Sequence, residues 1–240
     1  MKGKLYLIPA TIGESQLDMV IPAGIHHIVS RLDYFIVEQV RTARRYIRKL
    51  DPVKPIDPIT FYILNKHTPA NEIRGFVEPM LEGHDMGLIS EAGVPGIADP
   101  GEELVEMAHQ HGIQVVPLVG PSSILLALMA SGLNGENFAF NGYLPIKSAA
   151  RIKKLKAIEK KSRYEGQTQI FMETPYRNNG LLDDILSQCS KETLLCIASG
   201  ITTGQEMIRT QSIRDWKQQV PDLHKKPAIF VLSAPGKLTT

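Results

Sequence analysis

The chain has 240 residues, a formal charge of +2 and 43% hydrophobic residues, the make-up of a globular protein with room for one large or two small domains. No apolar run reaches the ~20 residues of a membrane-spanning helix, and two cysteines, Cys189 and Cys196, suggest neither a disulfide framework nor a zinc-type cluster. So small a net charge does not argue for nucleic acid by itself, and the cysteine usage fits a cytoplasmic protein.

Leu5 to Ile8 reads as a first apolar strand, followed by the turn Pro9-Ala10-Thr11-Ile12-Gly13. The pattern predicts a helix from Pro22 to about Arg31 and a second buried strand from Tyr34 to Val37, ending at Glu38. Arg41, Arg44, Arg45, Arg48 and Lys49 follow on a helix, either as a solvated face or as an anion site. The proline-rich stretch 51–58 is a connection, because it cannot be helical throughout. A third strand is expected over Phe61 to Leu64. One helix is expected from Pro69 to about Gly83, with Ile73, Phe76, Val77, Met80 and Leu81 as its apolar face.

The stretch MGLISEAGVPGIADPG, residues 86–101, organises the rest. A short apolar run gives way to a Gly/Pro-rich loop and then to a helical pattern from Glu102. That order makes a ligand site at the carboxyl edge of an open α/β sheet. The loop exceeds the roughly 2–6 residues of an ordinary βα connection, and it carries two acids, Glu91 and Asp99. A helix to His111 and a strand over Ile113 to Leu118 complete the alternation, which implies a parallel sheet. After Gly120-Pro121-Ser122-Ser123 comes ILLALMAS, apolar on nearly every side and therefore expected to be buried. Ser122 fits a helix cap or a ligand contact.

In the second half, Phe138 to Phe140 reads as a strand and Asn141 to Lys147 as a turn. Residues 147–163 then carry Lys147, Arg151, Lys153, Lys154, Lys156, Lys160, Lys161 and Arg163 against one acid, Glu159. This segment is either a solvated helix or a phosphate-facing one. Further strands are expected over Thr168 to Met172, Leu194 to Ala198 and Pro227 to Leu232. A helix follows Arg177, Gly200 to Gly204 is a polar turn, and Ser212 caps a short helix holding Trp216. The two halves divide as residues 1–118 and 119–240, and the last residues, from Ala234, are expected to fray.

Glycine-rich nucleotide fingerprints, a Walker A sequence, a serine elbow and metal-ligand spacings are all missing. The residues alone therefore lead to an α/β binding protein, expected to be an enzyme, with a site built mainly from loop backbone.

Several loops taken together carry a resemblance. KLYLIPATIG, Glu38 with Arg41, GLISEAGVPGIADPG, VVPLVGPSSILLALMASGL, FNGYLPIK and IFMETPYR occur in this order. The set resembles the bacterial small-subunit rRNA ribose 2′-O-methyltransferase family, a branch of the tetrapyrrole methylases. The resemblance implies two α/β domains, with a parallel sheet in the first, a mixed sheet in the second and S-adenosylmethionine in the cleft between. It implies a cofactor pocket of Ile12, Gly93, Val94, Pro95, Gly96, Ile97, Ser122, Ser123, Met172, Pro227 and Ala228, and a homodimer that needs no metal. RNA or a ribosomal subunit is the implied partner, met by Arg41, Lys147, Arg151, Lys153, Lys154 and Arg177. Glu38, Glu91, Asp99 and Glu173 are the candidates for activating a ribose hydroxyl. The chain departs from the family pattern in reading Glu38-Gln39-Val40-Arg41 for Glu-Asp-Thr-Arg, and Glu91-Ala92-Gly93-Val94-Pro95 for Asp-Ala-Gly-Thr-Pro. A small-molecule or protein methylase of the same fold, or a cofactor-binding protein without turnover, are the alternatives.

Overall fold

The computed structural model describes residues 1–236. The chain forms two compact units, Met1–Ser122 and a second that begins at Ser123.

The first unit runs β1 (Lys4–Ile8), α1 (Leu17–Val20), α2 (Gly24–Val29), β2 (Tyr34–Val37), α3 (Val40–Leu50), β3 (Thr60–Ile63), α4 (Ala70–Gly75), α5 (Glu78–Leu81), β4 (Met86–Ile89), α6 (Glu102–Gln110) and β5 (Gln114–Pro117). Its five strands are ordered β3-β2-β4-β1-β5 and all pair in parallel. The central strands are buried on both faces, which is why Met86, Leu88 and Ile89 form an unbroken apolar run rather than an alternating one. Gly87 has a packing reason: a Cβ there would lie 2.5 Å from Ile8 Cδ1. One apolar cluster, including Ile25, Val29, Phe35, Tyr46 and Ile47, covers one face of the sheet. Another, including Ile73, Phe76, Met80 and Leu104, covers the other.

The second unit runs α7 (Ser123–Ser131), β6 (Phe138–Tyr143), α8 (Ser148–Glu165), β7 (Thr168–Met172), α9 (Asn178–Gln188), β8 (Leu194–Ser199), β9 (Met207–Ser212), α10 (Ile213–Trp216) and β10 (Ala228–Ser233). Its sheet is mixed, in the order β6-β7-β10-β8-β9: β6 and β7 are parallel, and the other pairings are antiparallel. Trp216 is fully buried and donates its indole N–H to the Leu195 carbonyl at 2.8 Å. The Ser212 hydroxyl accepts the Asp215 amide at 3.2 Å, the expected cap.

Several expectations need correction. The helix expected from Pro22 is preceded by a separate turn of helix, α1, and α2 ends at Val29. The helix expected over 69–83 is two short ones, because Pro79 starts a new first turn where its missing N–H costs nothing. The strand at Phe138 continues through Asn141 and Gly142 to Tyr143, with a register irregularity after Phe140. β9 has no counterpart in the sequence pattern, since MIRTQS has no apolar run and lies at the sheet's edge. α7 is only partly buried: Ile124, Ala127 and Leu128 face the core, whereas Leu125 is 51% and Met129 77% exposed. Uniform apolarity shows that a helix can be covered on every side, not that its own chain supplies the cover.

Candidate active site

β1, β2 and β4 end level with one another, since Ile8 and Val37 both pair with Ile89. β1 connects onward to β2, on one side of the pair β4–β1, and β4 connects to β5 on the other. This reversal makes the carboxyl ends of β1 and β4 the place where an open α/β sheet forms a crevice. Three loops meet there. The loop after β1 is tied to the loop after β4 by two hydrogen bonds, Ala10 N to Gly93 O at 2.8 Å and Gly93 N to Ala10 O at 3.2 Å.

The same level ends place Glu38 beside the start of the β4 loop, where Ser90 and Glu91 begin. Ser90 braces that loop, its hydroxyl donating to the Ala92 carbonyl at 3.0 Å. Burial raises the Glu91 carboxyl above the ordinary glutamate value, the Glu38 charge adds to this, and the Thr42 side chain and Gln39 backbone pull the other way. Burial likewise raises Asp99, opposed by the Ser90 side chain and reinforced by Glu38 and Glu91. Three carboxyl groups on one loop cluster, with no ion pair to a cation among the described residues, form an arrangement able to accept a proton.

Beside them lies a pocket of about 260 Å³, lined by Ala10, Thr11, Val37, Thr42, Ala43, Arg45, Tyr46, Lys49, Ile89, Ser90 and Glu91. The buried Tyr46 hydroxyl donates to the Pro9 carbonyl at 2.6 Å, and burial raises its pKa. Composition and charge alone do not divide the α3 cations or single out Thr42 and Tyr46. The signal that does is spacing, since Thr42, Arg45, Tyr46 and Lys49 follow i, i+3, i+4, i+7.

The Gly93–Ile97 turn supplies backbone rather than side chains. Gly93 and Gly96 have φ of 75° and 76°, the region that glycine enters without a Cβ clash. Gly93 has both backbone polar groups engaged by Ala10, and so its neighbours carry whatever the turn offers a ligand. The amides of Gly96 and Ile97 have no hydrogen-bond partner among the described residues, and a Cβ on Gly96 would meet open space. Ile12 is half-buried in the loop after β1, and Ser122 closes the first unit.

In the second unit Ser123 opens α7, Met172 ends β7 and Ala228 opens β10. The Pro227 carbonyl is already occupied by the Ser199 hydroxyl at 3.0 Å and the Gly200 amide at 3.3 Å. Glu173 is buried and accepts from Arg177 Nη2 at 2.6 Å and from the Thr174 amide at 2.7 Å. Burial pushes its carboxyl up, but the Arg177 and Thr174 hydrogen bonds outweigh that and hold it below the ordinary value. Such a carboxylate is a weak proton acceptor, and its partner Arg177 is committed to it. Arg151 is similarly committed: buried, it donates from Nε to Asp184 at 2.7 Å and from Nη1 to the Ile146 carbonyl at 3.2 Å. These bonds engage its guanidinium within the fold. Lys147, Lys153, Lys154 and Arg41 are exposed and make no ion pair among the described residues.

No family model matches the chain. It is 30% identical over 240 residues to the ribosomal RNA small subunit methyltransferase I of Haemophilus influenzae, covering 99% of this chain and 81% of that one. It is 31% identical over 243 residues to the protein of the same name from Pasteurella multocida, covering 100% and 82%. For the Vibrio cholerae protein the figures are 35% over 205 residues, with 85% and 67% covered. The chain belongs to this methyltransferase family. Two solved structures share its fold: the methyltransferase CobJ, with a TM-score of 0.63 at 16% identity, covers 97% of this chain and 94% of its own. The uroporphyrin-III-C-methyltransferase of Thermus thermophilus has a TM-score of 0.54 at 17% identity and covers 97% and 93%. The unpaired Gly96 and Ile97 amides are donors free for a polar ligand. Among the described residues no cluster has the make-up of a metal site, and no helix is long and apolar enough to cross a membrane.

Proposed function

We propose that the protein methylates a ribose 2′-hydroxyl of small-subunit rRNA, with S-adenosylmethionine as the methyl donor. The observation that carries this reading is the acid cluster at the β2 and β4 ends, where burial and like charge raise Glu91 and Asp99. A ribose hydroxyl is a poor nucleophile, and a carboxylate of raised pKa is a stronger base than an ordinary one. The cofactor supplies a methyl group already activated by its sulfonium. Glu91 accepts the hydroxyl proton, and the oxygen takes the methyl group as its bond to the cofactor's sulfur breaks, leaving a neutral thioether. Asp99 and Glu38 keep a negative potential around it that favours proton uptake. The 94–97 backbone and Ile12, with Ser122, Ser123, Met172, Pro227 and Ala228, are carried forward as the cofactor contacts that the resemblance implies.

The names of the relatives support rRNA as the acceptor class. The same reading takes the protein as a cytoplasmic homodimer, and the exposed Leu125 and Met129 on α7 support a partner surface. The test is transfer of a labelled methyl group to small ribosomal subunits, naked rRNA and an RNA-free cell extract. Label in the RNA, at an alkali-resistant linkage, is expected. Label only in small molecules or protein moves the enzyme to another branch of the fold.

A further inference from the structure

The α3 pocket carries charge that the fold leaves unmatched. Of the helix's five cations, Arg44 turns away to Asp57 at 2.8 Å. Arg45 and Lys49 line the pocket and have no ion pair or hydrogen bond among the described residues. Glu91 lines the same pocket, yet neither cation closes on it. Arg45, Lys49 and Thr42 are exposed, so the pocket offers a ligand from solvent two free cations and a hydroxyl on one side and a carboxylate on the other. Lys49 also lies seven residues along the helix from Thr42, a rise of about 10 Å, so the two polar ends are held apart by the helix itself. Between them the wall is apolar and firm, made of Ala10, Val37, Ile89 and the tethered Tyr46.

We propose that this pocket seats one nucleotide unit of the acceptor RNA strand, its phosphate against Arg45 and Lys49 and its ribose hydroxyl edge toward Thr42 and Glu91. The inference rests on the reading of RNA as acceptor and adds the place where the strand is gripped. A bare phosphate would satisfy the cations and be repelled by Glu91. A neutral sugar would suit Glu91 and leave the cations unmatched. At about 260 Å³ the pocket is just under the roughly 300–1,000 Å³ of small-molecule sites, room for one unit and not a folded strand. The guanidinium and ammonium groups supply charge-assisted hydrogen bonds, and the apolar wall accepts a flat ring or sugar face.

The test uses the full chain, a fluorescein-labelled single-stranded RNA oligonucleotide taken from small-subunit rRNA, and a double variant, Arg45→Gln with Lys49→Gln. RNA binding is expected to weaken about tenfold or more. The slope of log affinity against log salt is expected to fall by about 0.7 for each phosphate the variant no longer neutralises. S-adenosylmethionine affinity, read by calorimetry, stays at the parent's value, and Arg48→Gln, outside the pocket, leaves RNA binding unchanged. A nucleoside monophosphate should compete better than inorganic phosphate. Equal competition by the two, or a double variant with the parent's affinity and salt slope, overturns the nucleotide seat while leaving the RNA reading standing. A parent protein that transfers methyl groups but neither binds nor methylates RNA overturns the RNA reading, and the seat with it.

Discussion

At the end of β4, Glu91 and Asp99 lie near Glu38 with no cation paired to them, whereas at the end of β7, Glu173 is clamped by Arg177. The helices differ in the same sense. α3 leaves Arg45 and Lys49 unpaired at a pocket, while α8, of equal net charge, folds Arg151 inward onto Asp184 and ties Arg163 to Glu159 at 3.9 Å. The contrast is local: the acids at the β4 end and the two α3 cations at the pocket are left unpaired, whereas Glu173 and Arg151 are paired within the second unit, whose Lys153 and Lys154 stay exposed and unpaired among the described residues. Unmatched charge destabilises a fold or adds nothing to it, and its persistence around one set of loops is what supports the proposed ligand site there.

The sharpest contrast is between the acids. Glu91→Gln is expected to lower methyl transfer by about 10²–10⁴-fold, the usual contribution of a positioned base, with cofactor affinity retained. In the parent, turnover should fall off on the acid side at a pH above that of an ordinary glutamate, because the raised carboxyl protonates earlier. The stability sign is opposite for the two acids. Glu91, raised on folding, favours the folded state only at low pH, and that contribution is lost as pH rises through its folded value. Glu173, lowered on folding, stabilises above its unfolded value and loses this as pH falls through its folded one. Glu91→Gln should therefore leave neutral-pH stability intact, as read by denaturation. A fully active Glu91→Gln enzyme would end the distinction between the two acids.

Arg151→Ala should have the next largest effect, on stability alone. Removing one partner of a largely buried pair costs about 3 kcal/mol, since Asp184 keeps its charge without its partner. A lowered urea midpoint, with RNA and cofactor binding per folded molecule unchanged, would place Arg151 among structural groups. A parent-like midpoint with weakened RNA binding would return it to the acceptor side.

The smallest effect is expected from Lys153→Gln, Lys154→Gln and Lys156→Gln together. These exposed lysines should change stability by no more than about 0.5 kcal/mol. RNA binding should weaken and its salt slope flatten, each productive phosphate contact being worth about 0.7, but by less than the α3 pair produces. Measured side by side, a greater loss from the α8 triple variant would move the main phosphate contact to the second unit.

The strand–helix alternation is legible because buried parallel strands announce themselves as apolar runs bounded by glycine and proline, as at Met86 to Ile89. The acids at the strand ends are legible for the same reason: a loop that follows such a run begins at a known edge. β9 is not, because MIRTQS pairs through backbone at a half-exposed edge and needs no apolar signature. Nor is the fate of Arg151, whose partner Asp184 is 33 residues away on α9, beyond any local period. The α3 face can be sorted by helical spacing, but only Asp57 shows that Arg44 turns outward.

The paired hydrogen bonds between Ala10 and Gly93 make two segments far apart in sequence behave as one rigid corner. Much of the entropy of ordering the β4 loop is thereby lost on folding, before any ligand arrives, and binding through the neighbouring Gly96 and Ile97 amides has less disorder left to remove. A molecule meeting that corner is met by preorganised donors. Under the proposed reading, affinity at this edge would depend on a backbone tether that no side-chain substitution at the contact itself would reveal.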